Sequence, residues 1–324
     1  MGIKNLNSIL KYYNICKKTH IKKLHSSIIG VDFSLFLYRF LYNQNNPVEC
    51  FLRQIQMFFK YNILPVYVLD GTPPEEKDFT IEKRAYKRNK MYQDILLLQE
   101  QKKMCENEDK LIINSQIKKL EKKCVLFSND IINDLLCFFK LLGIPVIQEN
   151  YESDWILAQL NKNNIVDYIL SEDSDILTFG GNFVLKNFSL RDENCHIYSL
   201  NSILKELNLS KDQFIDMCIL CGCDYSQKIK GMNCPKSFQL ISTYNTPENI
   251  QKLNDYNHIN LLNIQKARSI FKKEINNNLL VSLKSQINKK KFNFDELQSF
   301  LYNHIEKKYL IPIFIHYCNK TYFK

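Results

Sequence analysis

Carboxylates recur along the first two thirds of this chain at spacings that could hold metal ions. The densest group lies in Tyr168 to Gly180, Y-I-L-S-E-D-S-D-I-L-T-F-G, where Ile169 and Leu170 give way to Glu172, Asp173 and Asp175 before apolar character resumes at Ile176. Carboxylates two apart in an extended segment point to one side, and placing two anions together is unfavourable unless a cation compensates them. A hard divalent ion with oxygen ligands is the natural compensation. One D-x-D alone is more often a solvated polar turn. Here it has company: Asp32 closes S-I-I-G-V-D, Asp70 closes I-L-P-V-Y-V-L-D, and Glu152 and Asp154 follow I-P-V-I.

Those acids need elements to hold them. Apolar runs at 27–32, 63–69, 144–147 and 168–171 predict strands, interleaved with helices over 33–41, 50–61 and 131–142 and one carrying Trp155, Ile156 and Leu160. That alternation predicts an α/β fold with a mostly parallel central sheet flanked by helices. Ligands of such sheets bind beyond the carboxyl ends of the strands, where these acids fall. An amino-terminal helix over 3–13 and a basic connector to 25 precede the first strand, and 183–188 with 196–200 predict a hairpin at the sheet edge. Gly71, Pro73 and Pro74 break the chain after Asp70, and 77–123 turns helical and charged, with Lys77, Lys83, Arg84, Lys87, Arg88 and Lys90 early and four lysines late. Charge runs are usually solvated faces. This one starts beside a strand-end acid and so would overhang the same crevice. Farther on, an apolar helix over 214–220 leads through G-C-D-Y, with Asp224, to K-I-K-G-M-N-C-P-K-S and a helix from Phe238. A helix, a glycine-containing turn and a second helix can present backbone N–H groups to a phosphate, with Lys228, Lys230 and Lys236 adding charge. An ordinary helix-turn-helix corner fits that segment equally well.

Composition narrows the partner. The 324 residues are 45% hydrophobic, enough for one large domain or two. With 44 basic against 34 acidic residues, the formal charge of +10 favours an anionic partner such as nucleic acid, and a membrane surface would also attract it. No apolar run reaches membrane-spanning length, the lysine-rich start lacks a signal-peptide core, and Leu6 breaks the myristoylation pattern. Eleven cysteines without a secretory signal predict free thiols in a reducing, intracellular compartment. Cys218, Cys221, Cys223 and Cys234 fall in a helical apolar pattern and read as core residues, not zinc ligands.

Taken together, M-G-I-K-N-L, I-I-G-V-D-F-S-L-F-L-Y, V-Y-V-L-D-G-T-P-P-E-E-K, E-K-R, E-S-D, L-S-E-D-S-D-I-L-T-F-G and C-G-C-D-Y-S-Q-K-I-K-G-M resemble the flap-endonuclease and XPG-type structure-specific 5′ nucleases. The match runs over about residues 1–245. It implies a 5′-nuclease, PIN-like fold in three parts. These are a nuclease core over 1–200 that includes a helical arch, 77–123; a helical region over 201–280 with a duplex-binding helix-turn-helix-type turn; and an extension, 281–324, of unassigned role. It implies that Asp32, Asp70, Glu152 and Asp154 surround one Mg²⁺ and Asp173, Asp175 and Asp224 a second, with Mn²⁺ an acceptable substitute. Lys77 and Arg84 would contact the scissile phosphate, and Tyr38 would stack on a base. Gly2, Lys83, Lys87, Arg88, Lys228, Lys230, Gly231 and Lys236 would meet DNA, with K⁺ at the 231–236 turn. The implied activity is hydrolysis of flapped or branched DNA in replication, repair or recombination, in a nucleus or at a site of viral DNA replication. No sliding-clamp motif is evident near the end of the chain. Two departures stand out: E-S-D where the family has E-x-E, and a turn one residue longer than G-x-G-P-K and without its second glycine, where Asn233 is a residue that tolerates a left-handed conformation. A catalytically silent DNA-junction binder and a metal-dependent ribonuclease are the alternatives.

Overall fold

Short runs of Val, Ile, Leu and Tyr become the middle of a seven-stranded sheet: β1 (Lys17–His20), β2 (Ile28–Asp32), β3 (Leu64–Leu69), β4 (Val146–Gln148), β5 (Tyr168–Leu170), β6 (Phe183–Ser189) and β7 (Asn194–Ser199), in the order β1-β7-β6-β5-β2-β3-β4. The computed structural model describes all residues except 1, 4, 44, 75–76, 105–106, 125–127, 288–292 and 323–324. Lys4 and the Glu75-Glu76 pair of the quoted motifs therefore lie outside the described residues. Strands β2 to β6 run parallel, and β7 pairs antiparallel with both β6 and β1. The sheet is thus mostly parallel, as expected.

The basic connector is where expectation and structure part. Lys17–His20 is a strand, so the β6–β7 hairpin lies one strand in from the edge. A four-residue edge strand of K-K-T-H buries only Thr19, so it carries no apolar run to announce it. Lysines there also discourage pairing with another chain.

Both faces of the sheet are covered. On one, Phe33, Phe51, Tyr67 and Phe139 pack ring against ring, with Tyr67 and Phe139 stacked 4.4 Å apart. Helices Phe294–His304 and Leu310–Tyr322, from the stretch expected to be an extension, bury Leu297, Leu301 and Phe314 on that face. Buried Glu49 fastens them, accepting from the Lys307 backbone N–H at 3.1 Å and its ammonium at 3.3 Å. The other face is covered by helices Ser153–Lys162, Lys211–Cys221 and Leu261–Phe271. Helices Asp78–Met104 and Asn107–Lys123 pair mainly with each other, around Ile95, Ile117 and Cys124. They leave Leu96, Leu97, Leu111 and Ile112 exposed.

Candidate active site

Parallel register brings the first acid into place. One residue beyond the paired Val31 and Leu170, Asp32 ends β2 and caps helix Phe33–Tyr42. One of its oxygens accepts from the Leu35 backbone N–H at 3.1 Å and the other from the Ser171 hydroxyl at 2.9 Å. Asp70 stands just past β3. Gly71 follows it because a Cβ there would come within 1.9 Å of the Glu149 carbonyl oxygen. That approach sets Asp70 against Ser153, whose hydroxyl and backbone N–H donate to it at 2.5 and 3.1 Å. Glu152 immediately precedes helix Ser153–Lys162, and Asp154 lies in its first turn, where the helix dipole favours a carboxylate.

Asp173 and Asp175 are held differently from the expectation. They lie beyond β5 in a turn entering a short helix, Asp175–Thr178, and not in an extended segment. The Asp175 backbone N–H donates to Asp173 Oδ1 at 2.9 Å, and the Asp173 N–H donates to Ser171 Oγ at 3.0 Å. A local turn, not strand alternation, brings them to one place. Gly2, at φ +77°, lies so close that a Cβ would meet Asp173 Oδ1 at 2.0 Å. Asp224 arrives from the far side of the crevice, after helix Lys211–Cys221.

Six of the seven acids line one cavity of about 340 Å³ together with Tyr38, Lys77 and Arg84; Asp175 lies buried beside it. Lys77 pairs with Glu152, whose other oxygen accepts from the Tyr225 hydroxyl at 2.6 Å. Arg84 pairs with Asp224 at 2.6 Å, and Thr80 donates to the Asp224 carbonyl at 3.1 Å. The base of the helical hairpin is thus fastened to the acids at three points. Lys83 and Lys87 are exposed on the same helix and Arg88 is half-buried, all outside the cavity lining. Also outside it are Lys228, Lys230 and Gly231, which are exposed, and Lys236, whose ammonium lies 5.1 Å from the Tyr256 ring centre. Gly231 has φ +75°. Asn233 is extended at φ −140°, so the turn does not use the left-handed conformation that asparagine tolerates. Its side chain is needed instead to cap helix Cys234–Tyr244, accepting from the Lys236 N–H at 3.0 Å.

So many acids in one place are costly to ionise. Burial, then the charge of Asp70, push the Asp32 carboxyl up to about 7. Burial and neighbouring Asp173 also hold Asp154 and Asp175 well above the usual carboxylate range. Burial alone would lower the Lys77 ammonium, but Glu152, Asp154 and Asp224 outweigh it and raise it. Asp154 Oδ1 and Asp175 Oδ1 are buried and accept no hydrogen bond. Orphaned carboxylate oxygens of that kind suit a hard cation, which binds oxygen ligands only. Among the described residues no three His, Cys, Asp or Glu side chains form a ready-made cage; Lys77, Arg84, Ser153 and Tyr225 hold several of the oxygens. The donor set fits divalent ions, and which carboxylates would turn toward them follows from which partners they release.

Comparison with known proteins identifies the lineage. The XPG N-terminal domain model matches residues 1–91 and the XPG I-region model residues 143–224. Flap endonuclease 1 of Entamoeba dispar is 33% identical over 78% of this chain and 70% of its own length. The chain belongs to the flap endonuclease family. Flap endonuclease 1 of Plasmodium falciparum is 31% identical over 93% of the chain but only 50% of its own, longer sequence. Solved structures share the fold: the catalytic core of Rad2 in complex with DNA substrate (TM-score 0.67, 22% identity, 97% of this chain and 99% of that one) and flap endonuclease-1 from Methanococcus jannaschii (TM-score 0.67, 19%, 96% and 98%). No helix among the described residues is long and apolar enough to cross a membrane.

Four residues that organise the carboxylate cluster of this flap-endonuclease relative were not singled out from sequence. Ser171 bridges Asp32 and Asp173, Ser153 holds Asp70, and Tyr225 holds Glu152. Ser153 and Tyr225 stood in plain view as the middle of E-S-D and the end of G-C-D-Y. Lys186 on β6 is 1% exposed, and burial keeps its ammonium below the usual lysine range, with Asp173 the largest opposing charge. No motif marks it.

Proposed function

We propose that this chain is a structure-specific 5′ nuclease that hydrolyses DNA phosphodiester bonds near branch points, with Asp32, Asp70, Glu152, Asp154, Asp173, Asp175 and Asp224 holding two Mg²⁺ ions, for which Mn²⁺ can substitute. The supporting observation is the gathering of those carboxylates, two with orphaned buried oxygens, beside Lys77 and Arg84. Two divalent ions supply a nucleophilic water at neutral pH and stabilise the leaving oxygen. Lys77 and Arg84, at the hairpin base, offset charge on the phosphoryl oxygens. Tyr38, 40% exposed at the cavity, offers a ring for a base beside the cut. Gly2, with no side chain, lets the start of the chain close against the Asp173 turn. The hairpin 77–123 serves as an arch over a free 5′ end, with Lys83, Lys87 and Arg88 drawing in phosphates. Lys228, Lys230, Gly231 and Lys236 grip duplex backbone, with K⁺ at that turn. The work belongs to replication, repair or recombination, in the nucleus or another reducing compartment where DNA is copied.

The test is to incubate the purified chain with end-labelled flap, nicked, gapped and four-way-junction DNAs, with Mg²⁺ or with chelator, and map the cuts. Mg²⁺-dependent incision near the branch point is expected. Asp175→Ala should abolish it, by about 10³-fold or more, while a gel-shift shows DNA binding retained. Binding without incision by the unaltered chain would favour a silent junction binder, although all seven positions are acidic.

A further inference from the structure

A fully buried lysine lies behind the carboxylates. Lysine is almost never sunk this far without a partner, and Lys186 has two acceptors, neither of them a carboxylate. Its ammonium donates to the Ser174 hydroxyl at 2.8 Å and to the Glu172 carbonyl at 3.2 Å. Those residues flank Asp173, and Ser174 separates it from Asp175. The register explains the placement: Leu170 pairs with Leu185, so Lys186 follows on β6 where the Asp173 turn leaves β5. Strand β6 holds the rest of the turn as well. The Ser171 N–H donates to the Leu185 carbonyl at 3.3 Å, and the Asn187 N–H donates to the Glu172 side chain at 2.8 Å. Behind the ammonium, the Tyr198 ring centre is 5.8 Å away, and the whole residue is buried.

From this placement we infer that Lys186 is a positioning residue for the metal-binding turn: it fixes the backbone from which Asp173 and Asp175 project and touches neither DNA nor metal. The inference rests on the reading of those two acids as metal ligands. Groups that orient ligands govern metal affinity nearly as strongly as the ligands themselves. Replacing the ammonium by a methyl thioether of similar length would leave a carbonyl and a hydroxyl unpaired in the interior, and the turn would shift to find other partners.

The experiment titrates Ca²⁺ into the full-length chain by calorimetry and, separately, Mg²⁺ into a flap-cleavage assay. Lys186→Met should raise the Ca²⁺ Kd and the Mg²⁺ half-saturation about 10- to 100-fold, leave the KM for DNA unchanged, and be largely rescued by Lys186→Arg. If the unaltered chain binds Ca²⁺ but cuts no DNA, the nuclease reading fails while the calorimetry still decides the role of Lys186. A lower melting temperature with an unchanged Ca²⁺ Kd would make Lys186 a packing residue and overturn the proposal. A tighter Ca²⁺ Kd would make it a charge that repels the metal, which overturns it too. Should Lys186→Met not fold, Ser174→Ala removes one acceptor and keeps the lysine; it must also weaken Ca²⁺ binding, and an unchanged Kd there overturns the proposal.

Discussion

The carboxyl edge of the sheet and the helical hairpin above it carry opposite charges and keep them in opposite ways. At the sheet edge Asp32, Asp173 and Asp175 are all less than a tenth exposed; backbone N–H and hydroxyl donors hold oxygens of the first two, and Asp175 Oδ1 has no donor at all. On the hairpin, Lys83, Lys87, Lys118, Lys119 and Lys123 are exposed to solvent. Buried charge in a protein is specific and costly. Solvated charge is cheap, mutually replaceable and screened by salt. Function at the sheet edge should therefore fail one residue at a time, whereas function along the hairpin should fade gradually. Lys77 sits on the boundary, in the hairpin by sequence but with a side chain only 15% exposed and paired to Glu152.

Lys77 gives the largest contrast. Lys77→Met should lower the single-turnover cleavage rate by about 10²- to 10³-fold with little change in flap-DNA affinity, as quench-flow and anisotropy would show. A loss no greater than that of Lys83→Ala would move Lys77 into the solvated set and erase the boundary. Next in size is the triple change of Lys83, Lys87 and Arg88 to Ala. It should weaken DNA binding and flatten the plot of log K against log salt by about 0.9 for each phosphate the hairpin no longer neutralises, while the rate at saturating DNA stays near that of the unaltered chain. A collapse of that rate would show the hairpin acting residue by residue.

The smallest effect is on stability. Asp32 moves from 3.8 to about 7, so the folded state binds the extra proton between those values. Stability of the chelated protein should then fall as pH rises from 3.8 to about 7 and level off above. Asp32→Asn should remove that fall, raising Tm at pH 8 by about 1.5 °C for each kcal/mol recovered and changing little at about pH 4. Scanning calorimetry in chelator across that range checks it. A gain equal at both pH values would mean the carboxyl is not strained by its neighbours.

The same contrast governs what could be read from sequence. Strand-end acids were legible because apolar runs interrupted by Asp are rare and because parallel topology sends every strand end to one edge. The charged helical run 77–123 was legible from its own residues, and the family pattern then supplied Asp224 as a ligand and the run's role as an arch. Strand β1 was hidden since polar edge strands look like connectors, and the D-S-D geometry differs from an extended one since a side chain accepting from a backbone N–H two residues on competes with extended structure. Asn233 went to the cap because helix Cys234–Tyr244 needs one. Lys186 could not have been found: a lone lysine in an apolar strand says nothing of burial until β5 and β6 are set in register. The packing of residues 294–318 was equally hidden, because their partners, Glu49 and Phe138 among them, lie far back along the chain.

Asp32 serves also as the cap of helix Phe33–Tyr42. Tyr38 is six residues along that helix, about 9 Å at roughly 1.5 Å per residue, so a rod without a hinge joins the carboxylate proposed to hold metal to the ring proposed to stack on a base. On that proposal the rod is a caliper, and helical pitch sets the interval from cut to grip. Inserting one residue would swing the ring by about 100° and lose the gauge altogether, even with every acid still in place.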